Sequence, residues 1–284
     1  MTPLALGLVL AAACCHAAWN LLLKRSGDED GSGVVFVWLF LTASFVLWAP
    51  AAAIDAAIER PHLGAAQLLF MGGSGVLHLA YFLLLQRGYR EGDLSVVYPL
   101  ARGTGPALAL LGAIVILGER PSGVAIAGGI VVALGIVSLS GGPRSAAAVG
   151  YALATGLFIA VYTLWDKHGV DALAVPPIVY DWSGDLVRST LLAPAVLRRR
   201  EQVRAVWVRR RREVIAVAVL SPGAYVLVLF ALTFTPASYV APAREVSIAL
   251  GAALGVFVLG EGHARRRLTA AGVIIAGVIA LAIG

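Results

Sequence analysis

The chain has 284 residues, 60% of them hydrophobic and 13% charged, with a mean hydropathy of +0.87 and a formal net charge of +6. Soluble domains carry about 25% charged residues, so this composition excludes a water-soluble globule and places the chain in a bilayer. Cys14 and Cys15 are neighbours in one apolar run, where adjacent helical positions diverge by about 100° and a disulfide between them would be strained.

A membrane span needs about 20 mostly apolar residues. In chain order such runs occupy residues 4–23, 34–54, 64–87, 94–117, 121–140, 146–165, 174–197, 214–234, 237–259 and 268–283. The expected fold class is an all-α membrane protein of ten transmembrane helices, with short loops that leave no room for a soluble domain. The first run is rich in small residues, but no positive region precedes it, so it reads as a retained helix rather than a secretory signal. Pro99 and Pro106 in the fourth run, Pro222 in the eighth and Pro242 in the ninth each remove a backbone donor and are expected to bend their helices. Irregular backbone survives at membrane depth only where protein or a wet cavity covers it, which makes the fourth and ninth runs candidate cavity walls. Pro121 stands where the fifth run begins and suits the first helical position.

Basic residues set the orientation. Lys24, Arg25, Arg87, Arg90, Arg144, the eight arginines between 198 and 212, and Arg265, Arg266 and Arg267 fall on one side, against Arg60, Arg120 and Lys167 on the other. The positive-inside rule then puts both termini outside a cytoplasmic membrane. The arginine-rich stretch from Arg198 to Arg212 reads as a loop attracted to anionic headgroups rather than as a nucleic-acid site.

The second half of the chain repeats the first at an offset of about 142 residues. Residues 113–119, Ala-Ile-Val-Ile-Leu-Gly-Glu, are answered by 255–261, Gly-Val-Phe-Val-Leu-Gly-Glu, and Pro99-Leu100-Ala101-Arg102 by Pro242-Ala243-Arg244. The stretch from Ser140 to Ser145, with glycine and proline at its centre, is the expected linker between a first unit, 1–141, and a second, 146–284. Five spans per half, an odd number, turn the halves upside down relative to each other, an arrangement typical of secondary transporters.

Small residues such as Gly128, Gly129 and Gly135, Gly272 and Gly277, and Gly251 with Gly255 are expected to allow close helix packing. A homodimer through such faces and a monomer both remain open.

With His16-Ala17-Ala18-Trp19-Asn20-Leu21-Leu22-Leu23-Lys24 in the first helix and Leu-Gly-Glu at Glu119 and Glu261, the chain resembles the drug/metabolite transporter superfamily, specifically the ten-helix group built from two EamA-type repeats. The resemblance implies an inverted-repeat bundle with a central cavity that moves amino acids, other small metabolites or drugs. One departure is Asp166-Lys167 in the second half, where the first has Leu23-Lys24.

Charge inside a bilayer costs about 2.5 to 3.5 kcal/mol on insertion scales and usually faces a bundle interior. Six such residues stand out: Arg102, Asp181, Asp185, Arg188, Arg244 and Glu245. Arg102 and Arg244, each about 5 to 6 Å from the midplane by helical rise, either clasp a substrate carboxylate or phosphate or pair with Asp185 or Glu245. Asp181, Asp185 and Arg188 share one helical face by spacings of four and three. Asp185, near the middle of its span, is either a proton carrier, as Asp181 could also be, or a fixed counter-ion for Arg188. His16 and Asn20 share a face beside Trp19, and His78 lies mid-span. Each histidine is either an interhelical hydrogen-bonder or a relay. Tyr81, Tyr98, Tyr162 and Tyr225 are candidates to line the cavity with polar tips. Glu119 and Glu261 are expected to begin the span that follows each, at its positive end.

No metal-ligand spacing and no phosphate loop of the Gly-(x)4-Gly-Lys-Ser/Thr type occurs, so neither a metal, another cofactor nor ATP is expected. The expected function is a secondary active exporter or exchanger of a small polar metabolite, such as an amino acid or organic anion. It would work by alternating access as one repeat rocks against the other. The alternative is an intramembrane enzyme acting on a lipid or polyprenyl phosphate.

Overall fold

A computed structural model describes residues 1–26, 33–141, 145–258, 260 and 262–284. The centre of the expected linker, Gly142 to Arg144, and Glu261 lie outside the described residues. Every regular element among the described residues is helical. The helices are α1 (Pro3–Ser26), α2 (Gly33–Glu59), α3 (Ala65–Glu91), α4 (Leu94–Val115), α5 (Gly123–Ser138), α6 (Ala146–Lys167), α7 (Pro177–Val196), α8 (Arg200–Phe234), α9 (Ala237–Ala243), α10 (Val246–Phe257) and α11 (Ala264–Ile283). A wide turn at His168–Ala172 extends α6. Among the described residues, seven helical segments are long and apolar enough to cross a membrane, and one of them, Pro177–Phe234, contains both α7 and α8.

Local chemistry sets several of these boundaries. Ser122 and Ser145 each cap a helix, their hydroxyls accepting from Ala125 N at 3.1 Å and Ala148 N at 3.0 Å. Pro121 therefore precedes the cap of α5 instead of occupying its first turn. The α4 helix runs unbroken through Pro99 and Pro106.

The ninth run behaves differently. Pro242 has no N–H to donate, and the chain tightens behind it into short-range bonds, Glu245 N to Pro242 O at 3.1 Å and Ile248 N to Glu245 O at 2.9 Å. The run breaks into α9 and α10, with Arg244 and Glu245 at the junction.

The stretch between Arg198 and Arg212 is mostly helical, a correction to the loop expected there. Arginine is a good helix former, and from Arg200 the chain carries the helix on into α8. A kink at Arg210 (φ −127°, ψ 21°) separates the basic turns from the apolar ones, and the Arg210 guanidinium lies 4.4 Å from the centre of the Phe36 ring.

The packing is symmetric under exchange of the halves. Helix α1 packs on α8 as α3 does on α6; α4 packs on α6 as α10 does on α1; α2 meets α8 as α7 meets α3; and α5 meets α4 as α11 meets α10. The pairs α2·α7 and α5·α11 join equivalent helices. In α5·α11 the backbones touch: a Cβ on Gly128 would lie 2.7 Å from Gly277 O, and one on Gly277 would lie 2.7 Å from Gly128 O. Gly251 and Gly272, by contrast, have open space where a Cβ would sit.

The halves thus interleave. Helices α3, α4 and α6 form one group and α8, α10 and α1 its counterpart, each drawing on both halves of the chain. Helices α1 and α6 have each crossed over to pack with the other half, so the halves are not two separately packed bodies.

Candidate functional site

Three buried polar clusters lie within the helix bundle. The first sits at the α9–α10 junction. Glu245, wholly buried, meets Arg102 of α4 at 2.8 Å and its own neighbour Arg244 at 3.2 Å. The 142-residue offset therefore brings both arginines to one carboxylate. Arg244 also donates to the Tyr162 hydroxyl at 3.1 Å. The buried Nε of Arg102 has no hydrogen-bond partner among the described residues. Tyr98 lies one turn before Arg102 on α4 and is half-buried.

The second cluster surrounds Asp166 near the end of α6, also wholly buried. Its carboxylate meets His78 Nε2 of α3 at 3.0 Å and accepts from Tyr180 of α7 at 3.0 Å and from the Tyr225 hydroxyl of α8. Aromatic rings close over it. The His78 and Tyr162 ring centres are 3.9 Å apart, and Tyr225 and Tyr81 stand edge-on at 5.0 Å from His78 and 5.7 Å from Tyr162. Tyr162 thus links the two clusters, touching Arg244 through its hydroxyl and His78 through its ring.

The third cluster belongs to α7. Arg188 contacts Asp181 at 3.1 Å and Asp185 at 2.8 Å, and Ser44 of α2 donates to the second oxygen of Asp185. Asp185 thus sits against Arg188 on its own helix and shares that one guanidinium with Asp181. Tryptophans fasten this region: Trp38 Nε1 donates to Ser189 O at 3.0 Å and Trp182 Nε1 to Phe45 O at 2.8 Å.

The remaining expected residues lie on α1. Asn20 donates to the His16 carbonyl at 2.8 Å, and Trp19 stands edge-on to His16 with ring centres 4.9 Å apart. Trp19 also packs against the apolar cluster of α2, α7 and α8, with its buried Nε1 lacking a hydrogen-bond partner among the described residues.

Two expectations change role. Glu119 does not serve the helix that follows it in sequence. Its carboxylate accepts from the amides of Ala237 at 2.8 Å and Ser238 at 2.9 Å, capping α9 across the boundary between the halves. Lys167, counted among the loop cations, is buried and donates to Leu232 O at 2.8 Å and Thr235 O at 3.3 Å, where α8 runs out of amide partners, while pairing with Asp171 at 2.8 Å.

Asp166 is the functional candidate that sequence reasoning missed. It registered only as a departure from the first half, because the sixth run was ended at Trp165. Extending that run by a single residue would have added it to the charged groups inside the bilayer.

The sequence model of the EamA-like transporter family matches residues 3–141 and again residues 146–283. The chain belongs to this family. EamA-like proteins are membrane transporters, not enzymes, and two matches in tandem agree with the exchange symmetry of the packing. A solved structure described only as "Crystal structure of protein" is similar over 98% of this chain and 96% of its own, with a TM-score of 0.76 at 15% identity. It shares the fold. No curated protein matches the chain.

Proposed function

We propose that this EamA-like protein is a secondary active transporter of a small polar metabolite bearing a carboxylate, an amino acid or organic anion. In this reading it crosses the cytoplasmic membrane ten times, with α9 and α10 forming one interrupted crossing and both termini outside. The five-helix repeats 1–141 and 146–284 are inverted relative to each other. It works as a monomer or homodimer, with lipid and its solute as partners.

One observation carries the substrate reading: two arginines from equivalent places in the two halves converge on a single carboxylate at a broken helix. Two guanidiniums with one acid leave an excess positive charge, and Arg102 Nε is a buried donor in want of an acceptor. A substrate carboxylate satisfies both needs, bonding to guanidinium N–H groups that Glu245 does not fill. The charges are covered by protein and drawn together, so in this reading solute entry requires the two interleaved helix groups to part. Alternating access then consists of parting α3–α4–α6 from α8–α10–α1, first on one face and then on the other.

The test is thermal unfolding of the purified protein against a panel of carboxylates and amino acids, since a ligand that binds only the folded state raises Tm. At least one solute of this class should stabilise the native protein, and Arg102→Ala and Arg244→Ala should each lose that stabilisation. A stabilising carboxylate whose effect persists in both variants would overturn the assignment.

A further inference from the structure

The cluster around Asp166 holds a carboxylate with no arginine or lysine in contact among the described residues, unlike the other buried acids described above. Glu245 has two arginines and the two α7 acids share Arg188. Asp166 has instead one imidazole, two phenols and the Ser74 hydroxyl. Lys167, its sequence neighbour, points away to the end of α8. Burying a carboxylate without a fixed cation is costly, unless the site can take up a proton.

The hydrogen-bond inventory shows how it can. Beside the Ser74 hydroxyl, Tyr180 has one hydroxyl proton and two carbonyl or carboxylate acceptors in reach, Asp166 Oδ1 at 3.0 Å and Phe70 O at 3.1 Å. Phe70 O is already served by Trp165 Nε1 at 2.8 Å, so it does not depend on Tyr180. With Asp166 ionised, Tyr180 donates to it. With Asp166 protonated on Oδ1, the new O–H donates to the Tyr180 oxygen, and Tyr180 turns its own proton to Phe70 O. Both states are fully bonded without displacing a heavy atom.

We propose that Asp166, with His78, Tyr180 and Tyr225, is the proton-binding site that couples transport to a proton gradient. The coupling role rests on the transporter reading above; the proton site does not. The step is a proton transfer alone: a proton from the aqueous phase forms the Asp166 O–H bond, and the reverse releases it.

The consequence for motion follows from which helices meet there. His78 and Asp166 belong to α3 and α6, within one interleaved group, whereas Tyr225 is on α8, in the other. An ionised Asp166 attracts the Tyr225 hydroxyl across the gap between the groups; a neutral acid attracts it less, because bonds to charged groups are roughly twice as strong as neutral ones. Proton uptake thus loosens one tie between the groups. Tyr162 carries the news to the arginines, being packed on His78 and bonded to Arg244. The groups facing the site are His78 and Ser74 from α3, Tyr162 from α6, Tyr180 with Asp181 and Arg188 from α7, and Tyr225 from α8, with Arg244 beyond Tyr162.

Infrared difference spectroscopy of the whole protein in lipid, between about pH 9 and about pH 5, tests the site without any solute. The native protein should show a carboxylic acid band appearing on acidification. Because Asp181 and Asp185 share one arginine and can contribute a band of their own, the Asp166 component is the part that is lost in Asp166→Asn and kept in Asp181→Asn and in Asp185→Asn. His78→Gln, which retains the carboxylate, should move the pH of its appearance by about one unit or more.

Amide hydrogen exchange reads the tie. Corrected for intrinsic rates, exchange along α8 should rise on acidification in the native protein and lose that response in Tyr225→Phe. A band undiminished in Asp166→Asn, or, should that variant fail to fold, one that titrates unchanged in His78→Gln, overturns the proton site. An α8 response retained in Tyr225→Phe overturns the tie. Loss of carboxylate stabilisation in the arginine variants is scored separately, so either proposal can fail while the other stands.

Discussion

Helix α4 and the α9–α10 pair hold equivalent places in the two repeats, yet one is continuous and the other is broken at its arginine. Position 103, one past Arg102, is glycine, while the matching position in the second repeat is Glu245. A Cβ on Gly103 would lie 2.7 Å from Val137 Cγ2 and 3.3 Å from Ala133 O, so the first repeat uses this position to press α4 onto α5. The second uses it to bring a carboxylate between two arginines. The fold is symmetric under exchange of the repeats, but the charged site at its centre is not, and the difference of one acid leaves the arginine cluster with an unanswered positive charge.

The most severe break in this comparison is Glu245→Gln. It leaves Arg102 and Arg244 buried without a counter-ion and should cost about 3 to 5 kcal/mol of stability, seen as a large fall in Tm that a small carboxylate in the buffer partly restores. Melting like the native protein would show that the shared pair does not hold α9–α10 in place. Gly103→Ala should cost about 1 to 3 kcal/mol by overpacking against Val137, while the carboxylate that stabilises the native protein still binds. Loss of that binding would mean that the α4–α5 contact also shapes the site.

Glu119→Ala removes the cap of α9 and should cost about 0.5 to 2 kcal/mol, with faster hydrogen exchange at the amides of Ala237 and Ser238. Unchanged exchange there would show that the cross-repeat cap does not fix the broken helix. Gly272→Ala sharpens the packing side of the comparison: with open space at that position, its effect should stay within about 0.5 kcal/mol, in contrast to a bulky side chain at Gly277.

Much of this architecture is legible in the sequence because apolar run length and the 142-residue echo are both local signals. Serine caps and the ends of most helices fall close to the expected runs. What the sequence hides are partners that meet only after folding. Pro242 announced a disturbance, but the break falls at Arg244–Glu245 because the tightened turns form behind the proline. Glu119 looked like the opening of its own next helix and instead caps one 118 residues away. Asp166 is bonded to groups on three other helices, none near it in sequence except Tyr180. The spacing of Asp181, Asp185 and Arg188 was visible from the start, since all three lie on one helix face, but the Ser44 hydroxyl that joins them comes from α2.

The central claim is that Arg102 and Arg244 hold the carboxylate of a transported solute. Its most direct test is uptake in proteoliposomes of the solute that stabilises the native protein, comparing the native chain with Arg102→Ala and Arg244→Ala, each shown to be folded. The account predicts uptake by the native protein and its loss in both variants. Uptake at native rates in either variant would contradict it.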